Sequence, residues 1–405
     1  MQFNMKIPAI LAACFLFAVN GSSAAELTQT DLFVQGEGGY HTYRIPALLV
    51  TQKGTLLAFC EGRKNSRSDT GDIDLLMKRS TDGGKTWSNQ QVIWDDGPNT
   101  CGNPCPVVDE KTGTIWLLLT HNRGDDNERD IKTKNSKGTR TVWVCKSTDD
   151  GQTWSNPVEI TDSVKKPEWG WYATGPGVGI QIKHGPHKGR LVIPCDHSFE
   201  IAGDAEGQTA IQYASHSFHS DDHGKTWKLG GVISPRMNEC QVVELADGQG
   251  TLLMNMRSYT GENRRHHSYS NDGGETWTPP EGQSELIEPV CQGSILRYTW
   301  PQRHGRSRIL FSNPAHDKKR INMTVRMSYD EGKTWPISKT IHPGPTAYSS
   351  LAVLPDMTMA CLYERGEKHS YEKITFAHFT IEWLTDGKDF VRTAGERLFR
   401  FEGRR

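Results

Sequence analysis

The chain has 405 residues, with 47 Lys+Arg against 48 Asp+Glu, a formal net charge of −1, 40 Gly and 12 Trp. Without a basic excess it is no candidate for non-specific nucleic-acid binding, which works by neutralising phosphates, and with 9% aromatic and 23% charged residues it is not a disordered chain. An apolar content of 35% beside so many glycines points to short half-buried strands and tight turns rather than packed helices.

Residues 1–25 read as a secretory signal peptide. Lys6 supplies the positive start, Ile7 to Val19 an apolar stretch too short to span a bilayer, and Ser23-Ala24-Ala25 the small residues of a cleavage site. Leu11-Ala12-Ala13-Cys14 has the look of a lipid-attachment signal. Lipid anchoring at Cys14 is the less favoured reading, because apolar Phe15-Leu16-Phe17 follows where a polar tether belongs. The expectation is therefore a secreted or periplasmic protein, with residues 26–405 as its folded domain and no integral membrane association. The cysteines that follow are scattered, and several sit in apolar runs (LLAFC, VWVC, LVIPC), where a buried free thiol is the usual outcome. Cys101 and Cys105 are close, but no histidine or second cysteine pair completes a zinc pattern, so no metal is expected.

From residue 80 onward one pattern recurs five times, Ser-x-Asp-x-Gly-x-Thr-Trp. It occupies residues 80–87, 147–154, 220–227, 270–277 and 328–335. An Asp that bonds to backbone two residues on, with a Gly at positive φ, makes a compact turn. Each Ser ends a strand-like run, as in LLMKRS, VWVCKS and VRMS, and the Thr-Trp is expected to open the next strand and staple the hairpin. The boxes lack the twelve-residue spacing of a calcium loop and are read as structural. At roughly 60 residues per repeat the chain holds about six units, which implies an all-β, six-bladed β-propeller with few helices. The unit lacking a box is expected to be the last, where TMACLYE and ITFAHFTIEW meet a strand near Leu32-Phe33-Val34 and close the ring.

Propellers take ligands at the mouth of the channel, so charge embedded in strand patterns marks the candidates. Arg44 lies in YRIP, Arg257 in LLMNMRS and Arg326 in INMTVRMS, in three different blades. Singly, each reads as a solvated or paired strand arginine. Converging on the axis, they would suit a carboxylate or phosphate. Glu239, Glu364 and Tyr348 border apolar strands, and Asp69 lies in the polar loop 66–72, with Asp72 and Asp74 as competitors for its role.

With YRIP, the five boxes, and the strings EGRKNSRSD, GNPCPVVD, WYATGPGVGIQ and LYERG, nearly the whole of residues 26–405 resembles the exo-α-sialidases (neuraminidases) of the non-viral type. The resemblance implies that Arg44, Arg257 and Arg326 grip the sialic acid carboxylate, that Glu364 orients Arg44, and that Arg63 contacts the sugar ring near its 4-hydroxyl. It implies Tyr348 as nucleophile, Glu239 as its base and Asp69 as acid/base, in a retaining hydrolysis that needs no cofactor and acts on sialylated glycans (glycoprotein, ganglioside or oligosaccharide). A neutral phenol suits an anomeric carbon that already bears a carboxylate, where an anionic nucleophile would be repelled. Val178, in GPGVG, stands where relatives often carry a polar residue, a site expected to bear on substrate preference. A monomer is expected. A sialic-acid-transferring relative would share every one of these residues; a non-catalytic carbohydrate-binding propeller would have no reason to keep acid, nucleophile and base together.

Overall fold

The computed structural model describes residues 26–201 and 210–391; the expected signal peptide, residues 1–25, lies outside them. Six four-stranded antiparallel units follow one another. The first is built from Thr42–Val50, Leu56–Arg63, Ile73–Ser80 and Gln91–Trp94, and the second from Thr100–Val108, Ile115–Asn122, Thr141–Ser147 and Val158–Glu159. In the third, Trp169–Thr174 and Ile180–Gln181 both pair with Leu191–Ile201, followed by Ala210–Ser220 and Lys228–Ile233. Met237–Glu244, Leu252–Ser258, Arg264–Ser270 and Glu281–Ile287 form the fourth. Ser294–Thr299, Arg308–Pro314 and Ile321–Ser328 form the fifth with the first half of the long strand Ile337–Val353. The second half of that strand begins the sixth, which continues through Met359–Arg365 and Lys373–Phe379. The fourth strand of this last blade is Thr28–Val34, antiparallel to Lys373–Phe379 in the register Thr28↔His378. The helices of the described residues are single turns, and none is long and apolar enough to cross a membrane.

All five boxes connect the third strand of a blade to its fourth. Blade 6 needs no such turn: its third strand runs into the short helix Ile381–Leu384, and its fourth comes from the other end of the chain. This is why the repeat is missing there.

The boxes share one hydrogen-bond pattern, which differs from the expected one. The Ser hydroxyl donates to the Asp carboxylate and accepts from the Gly N–H four residues on. The Asp accepts from the Thr hydroxyl, and in every box from the Thr N–H, four residues on. The glycines are left-handed (φ 76 to 93°), and so are the residues before them, including Asp150, His223 and Glu331. The Trp rings staple neighbouring blades rather than their own hairpins. Trp87 packs on Phe376 of blade 6, Trp154 on Phe59 of blade 1, and Trp227 on Trp116 of blade 2. Trp277 donates to Ser217 of blade 3. Trp227 also meets Phe218 of its own blade, and the Trp335 ring meets Phe311 of its own, while Gly332 of the same box faces Leu253 of blade 4. A Cβ at Gly224 would stand 2.2 Å from the Trp116 ring. Gly224→Ala is therefore expected to destabilise the fold by about 2 kcal/mol or more. A lowered thermal midpoint, with catalysis per folded molecule unchanged, is the result that checks it.

Cys60, Cys101, Cys105, Cys145, Cys195, Cys240, Cys291 and Cys361 are buried free thiols. They lie in the apolar layers between blades, where burial pushes the Cys145 thiol up to about 12.

Candidate active site

Because the strands alternate in direction, the starts of the first and third strands and the ends of the second lie at one end of the ring, and the boxes at the other. The inner strands do not run straight to the first end. Register shifts interrupt them between Arg44 and Ala47, Gly102 and Cys105, Met237 and Cys240, and Thr346 and Ser349. Ile45 and Asn103 take positive φ there (60° and 52°). A bulge breaks the in–out alternation and re-aims side chains, and a β-branched residue in the left-handed region costs on the order of 1–3 kcal/mol. The YRIP motif is one of these bulges. It turns the Arg44 side chain to Glu364 and Asp69, and presents the Ile45 N–H to Glu364.

The bulges surround a polar cleft of about 310 Å³. Tyr348, from the inner strand of blade 6, donates its hydroxyl to Glu239 Oε1 of blade 4. Glu239 Oε2 accepts from Arg257 Nη1 at 2.7 Å, and the same nitrogen lies 3.3 Å from the Tyr348 oxygen. Burial pushes the Tyr348 phenol well above its ordinary value, and the Glu239 charge adds to this, against Arg257, Arg44 and Arg320. In the free site the hydroxyl is therefore held in its protonated form, as a donor to Glu239.

Glu364 is fully buried, and its two oxygens are saturated. They accept from Arg44 Nε and Nη2 at 3.1 and 3.2 Å, from Ile45 N at 2.9 Å and from Tyr348 N at 3.1 Å. It fixes one arginine of the cleft and the backbone of the tyrosine together. The Arg44 guanidinium carbon lies over the Tyr348 and Tyr371 rings, 4.8 and 4.1 Å from their centroids.

Asp69 stands on the loop after Leu56–Arg63. Its Oδ1 is 2.7 Å from Arg63 Nη2 and 3.5 Å from Arg44 Nη1, and its side chain is 46% exposed. Crowding by its neighbours would raise its pKa, but the Arg63 and Arg44 charges outweigh that and hold the carboxyl at about 2. Arg63 is itself anchored, by Glu61 at 2.6 Å and by the Arg67 carbonyl at 2.7 Å, which ties down the loop that carries Asp69. Asp72 and Asp74 both pair with Lys64, and Asp74 also accepts from Tyr40, so neither enters the cleft.

One expected arginine is misplaced. Arg326 lies two residues before the Ser of the fifth box, in a third strand that runs from the cleft end to the box end. It is buried, and donates to Asn313 Oδ1 at 3.0 Å. The arginine of blade 5 in the cleft is Arg320, just before that strand, which donates to the Tyr371 hydroxyl at 2.9 Å. The direction of the third strand carries this information: a residue beside a box must be remote from the cleft. Arg257 ends a second strand, which runs the other way.

Sequence reasoning also passed over several cleft residues. Arg140 and the Thr120 hydroxyl both donate to Asn103 Oδ1, at 2.5 and 3.1 Å, which leaves the Asn103 amide N–H group for a ligand. No carboxylate pairs with Arg140 among the described residues. It lies over Trp171 at 3.9 Å, and burial lowers its pKa to about 10. Asp196, Asn238, Tyr213 and Tyr259 complete the wall on the side of blades 3 and 4. Val178 is not part of it. It lines an apolar pocket of about 320 Å³ at the box end of the channel, with Val50, Val108, Val243, Leu296 and Val353.

A propeller of boxed blades with arginines, a tyrosine and paired carboxylates at one mouth defines the class, and comparison with known proteins gives the family. Residues 54–361 match the BNR repeat-like domain. The chain is 37% identical over 367 residues to a sialidase of Micromonospora viridifaciens and 33% over 352 residues to one of Bacteroides fragilis, matches that take in 88% and 82% of this chain. It spans 54% and 62% of the length of those two proteins. Mouse sialidase-3 is 30% identical over 399 residues, covering 87% of this chain and 94% of that one. Among solved structures, the Hadza microbial sialidase Hz136 superposes with a TM-score of 0.74 at 32% identity, over 86% of this chain and 68% of the other. The chain belongs to the sialidase family.

Proposed function

We propose that the protein is a retaining exo-α-sialidase, exported from the cell, that hydrolyses terminal α-linked sialic acid from glycans. The observation that carries this is the hydrogen bond from Tyr348 to Glu239 beside Arg44, Arg257 and Arg320 in the cleft. Arg44, Arg257 and Arg320 take the substrate carboxylate. Arginine is suited to this because its guanidinium donates bidentately and remains charged when desolvated. The anomeric carbon is then held over the Tyr348 oxygen. As that oxygen attacks, Glu239 accepts its proton, and the fixed arginine charges favour the oxocarbenium-like transition state by holding the sugar in place. A second displacement by water releases the sugar with net retention.

Asp69 supplies and recovers the proton of the leaving group. In the free site it is ionised, held so by Arg63 and Arg44. A substrate carboxylate that engages Arg44 removes part of that restraint, so binding itself raises the Asp69 pKa towards protonation. Asp69→Ala is expected to lower kcat by about 10³ on a natural sialoside, whose leaving sugar needs the proton, and by only about tenfold on a phenolic one. Equal losses on both would remove Asp69 from this role.

The function as a whole is tested by incubating the purified protein with a fluorogenic α-sialoside and with sialyllactose, and identifying the products. Free sialic acid supports hydrolysis, and sialic acid joined to an acceptor sugar would indicate transfer. No turnover of any α-sialoside by folded protein would overturn the assignment.

A further inference from the structure

The loop that carries Asp69 has no apolar anchor. Between Arg63 and Ile73 the chain reads Lys-Asn-Ser-Arg-Ser-Asp-Thr-Gly-Asp, and residues 65–68 are exposed. Its place is therefore set by hydrogen bonds and ion pairs. Ahead of Asp69, Arg63 holds the Arg67 carbonyl, and it also meets the Asp69 carboxylate. Beyond Asp69, the main chain is tied to the neighbouring blade by Thr100, the first residue of the inner strand of blade 2, which is fully buried. The Thr100 hydroxyl accepts from the Gly71 N–H at 3.1 Å and donates to the Gly71 carbonyl at 2.9 Å, so both polar groups of one loop residue close on a single side-chain oxygen.

That oxygen is itself well placed. The Thr100 backbone pairs with Asn122 of its own blade and, in parallel, with Ile73 of blade 1, where the Ile73 N–H donates to the Asn99 carbonyl at 3.2 Å. Gly124 closes the space behind: a Cβ there would stand 1.7 Å from the Pro98 carbonyl oxygen and 3.1 Å from the Gly71 carbonyl carbon. The two kinds of tie respond differently to the reaction. The contacts of Arg63 and Arg44 with Asp69 are ionic, and they weaken when the carboxyl takes up the proton that it must donate. The Thr100 bonds go to the main chain and involve no charge, so they persist in both protonation states.

We propose that Thr100 is a positioning residue, whose hydroxyl holds the main chain of the Asp69 loop in register with the cleft. The proposal rests on the reading of Asp69 as the acid. A proton donor must lie within hydrogen-bond reach of the leaving oxygen, and a misplacement of about 1 Å, caused far from the chemistry, can cost about 10²-fold in rate.

Thr100→Val keeps the shape of the side chain and removes the hydroxyl. It is expected to lower kcat/KM about tenfold on sialyllactose, whose leaving sugar needs the proton, and less than about twofold on a fluorogenic α-sialoside with a phenolic leaving group. In an Asp69→Ala background the same substitution should change neither value by more than about twofold, because the group that it positions is gone. Thr100→Ser keeps the hydroxyl and should stay within about threefold of the unaltered protein on both substrates. A role confined to the stability of the fold would lower both substrates alike and would persist without Asp69. Equal losses, no loss, a loss that persists beside Asp69→Ala, or a Thr100→Ser variant as impaired as Thr100→Val overturns the proposal. Thr100→Ala, which cannot clash, is measured in the same way should Thr100→Val not fold; if neither folds, Thr100 serves the fold and the proposal is overturned. Failure of the underlying reading is distinguished in protein with Thr100 intact, as equal losses of Asp69→Ala on the two substrates.

Discussion

Tyr348→Phe lowers kcat on a fluorogenic α-sialoside by about 10³ or more while leaving the binding of free sialic acid nearly unchanged. The substitution removes one oxygen. The ring stays between its neighbours, 4.8 Å from the Arg44 guanidinium, and the Tyr348 N–H still donates to Glu364, so the arginine that it packs against keeps its position. The bond to the anomeric carbon and the proton relay to Glu239 are lost, and both act only in the transition state. The carboxylate that remains, Glu239, replaces the phenol poorly: it would bring a negative charge towards a carbon that already bears one. Steady-state kinetics together with calorimetric titration of sialic acid separate the two terms. A variant that keeps more than about a tenth of the activity would show that Tyr348 is not the nucleophile.

Arg320→Ala is expected to lower kcat/KM by about 10², chiefly through KM. It removes a charge-assisted contact of about 1.5–3 kcal/mol to the substrate carboxylate, in ground state and transition state alike. Arg326→Ala is the matched control. It leaves Asn313 Oδ1 without its donor in a buried setting, which costs about 1–3 kcal/mol of stability, and it should leave turnover within about twofold. Kinetics and thermal unfolding on the pair decide the matter. If Arg326→Ala loses turnover as severely as Arg320→Ala while it unfolds normally, the third carboxylate grip belongs to Arg326 after all.

The repeats made the architecture legible in the sequence, because each box is a local device: its hydrogen bonds close within eight residues, and its spacing counts blades. They also made Arg326 misleading. Arg257 and Arg326 stand in near-identical contexts, NMRS and VRMS, but one ends a second strand and the other nears the end of a third, and the two strands point to opposite ends of the ring. Strand direction is a property of the blade and not of a short pattern. Asp196 and Asn103 were hidden for a different reason. Asn103 faces the cleft at a bulge of its inner strand and Asp196 from a second strand, and both reach it only because the chain curls into a ring. The Trp rings were recognised as staples, but those of Trp87, Trp154 and Trp277 reach the neighbouring blade and that of Trp227 both blades, since a single sequence repeat does not tell contacts within a blade from contacts between blades.

The pairing of Thr28–Val34 with Lys373–Phe379 bears on how the molecule is assembled. It joins segments more than 300 residues apart, and the bonds from Arg44 to Glu364, 320 residues apart in sequence, cross the same joint between blades 1 and 6. Contacts of such separation carry the greatest loop-closure entropy and form late. A chain in which five blades have condensed but the ring is open would hold Glu239 and Arg257 close to their final places, and would lack the alignment of Arg44 with Tyr348. Catalytic competence should then emerge in the same kinetic step as ring closure, after most of the secondary structure, so that the site reports on the completion of its own scaffold.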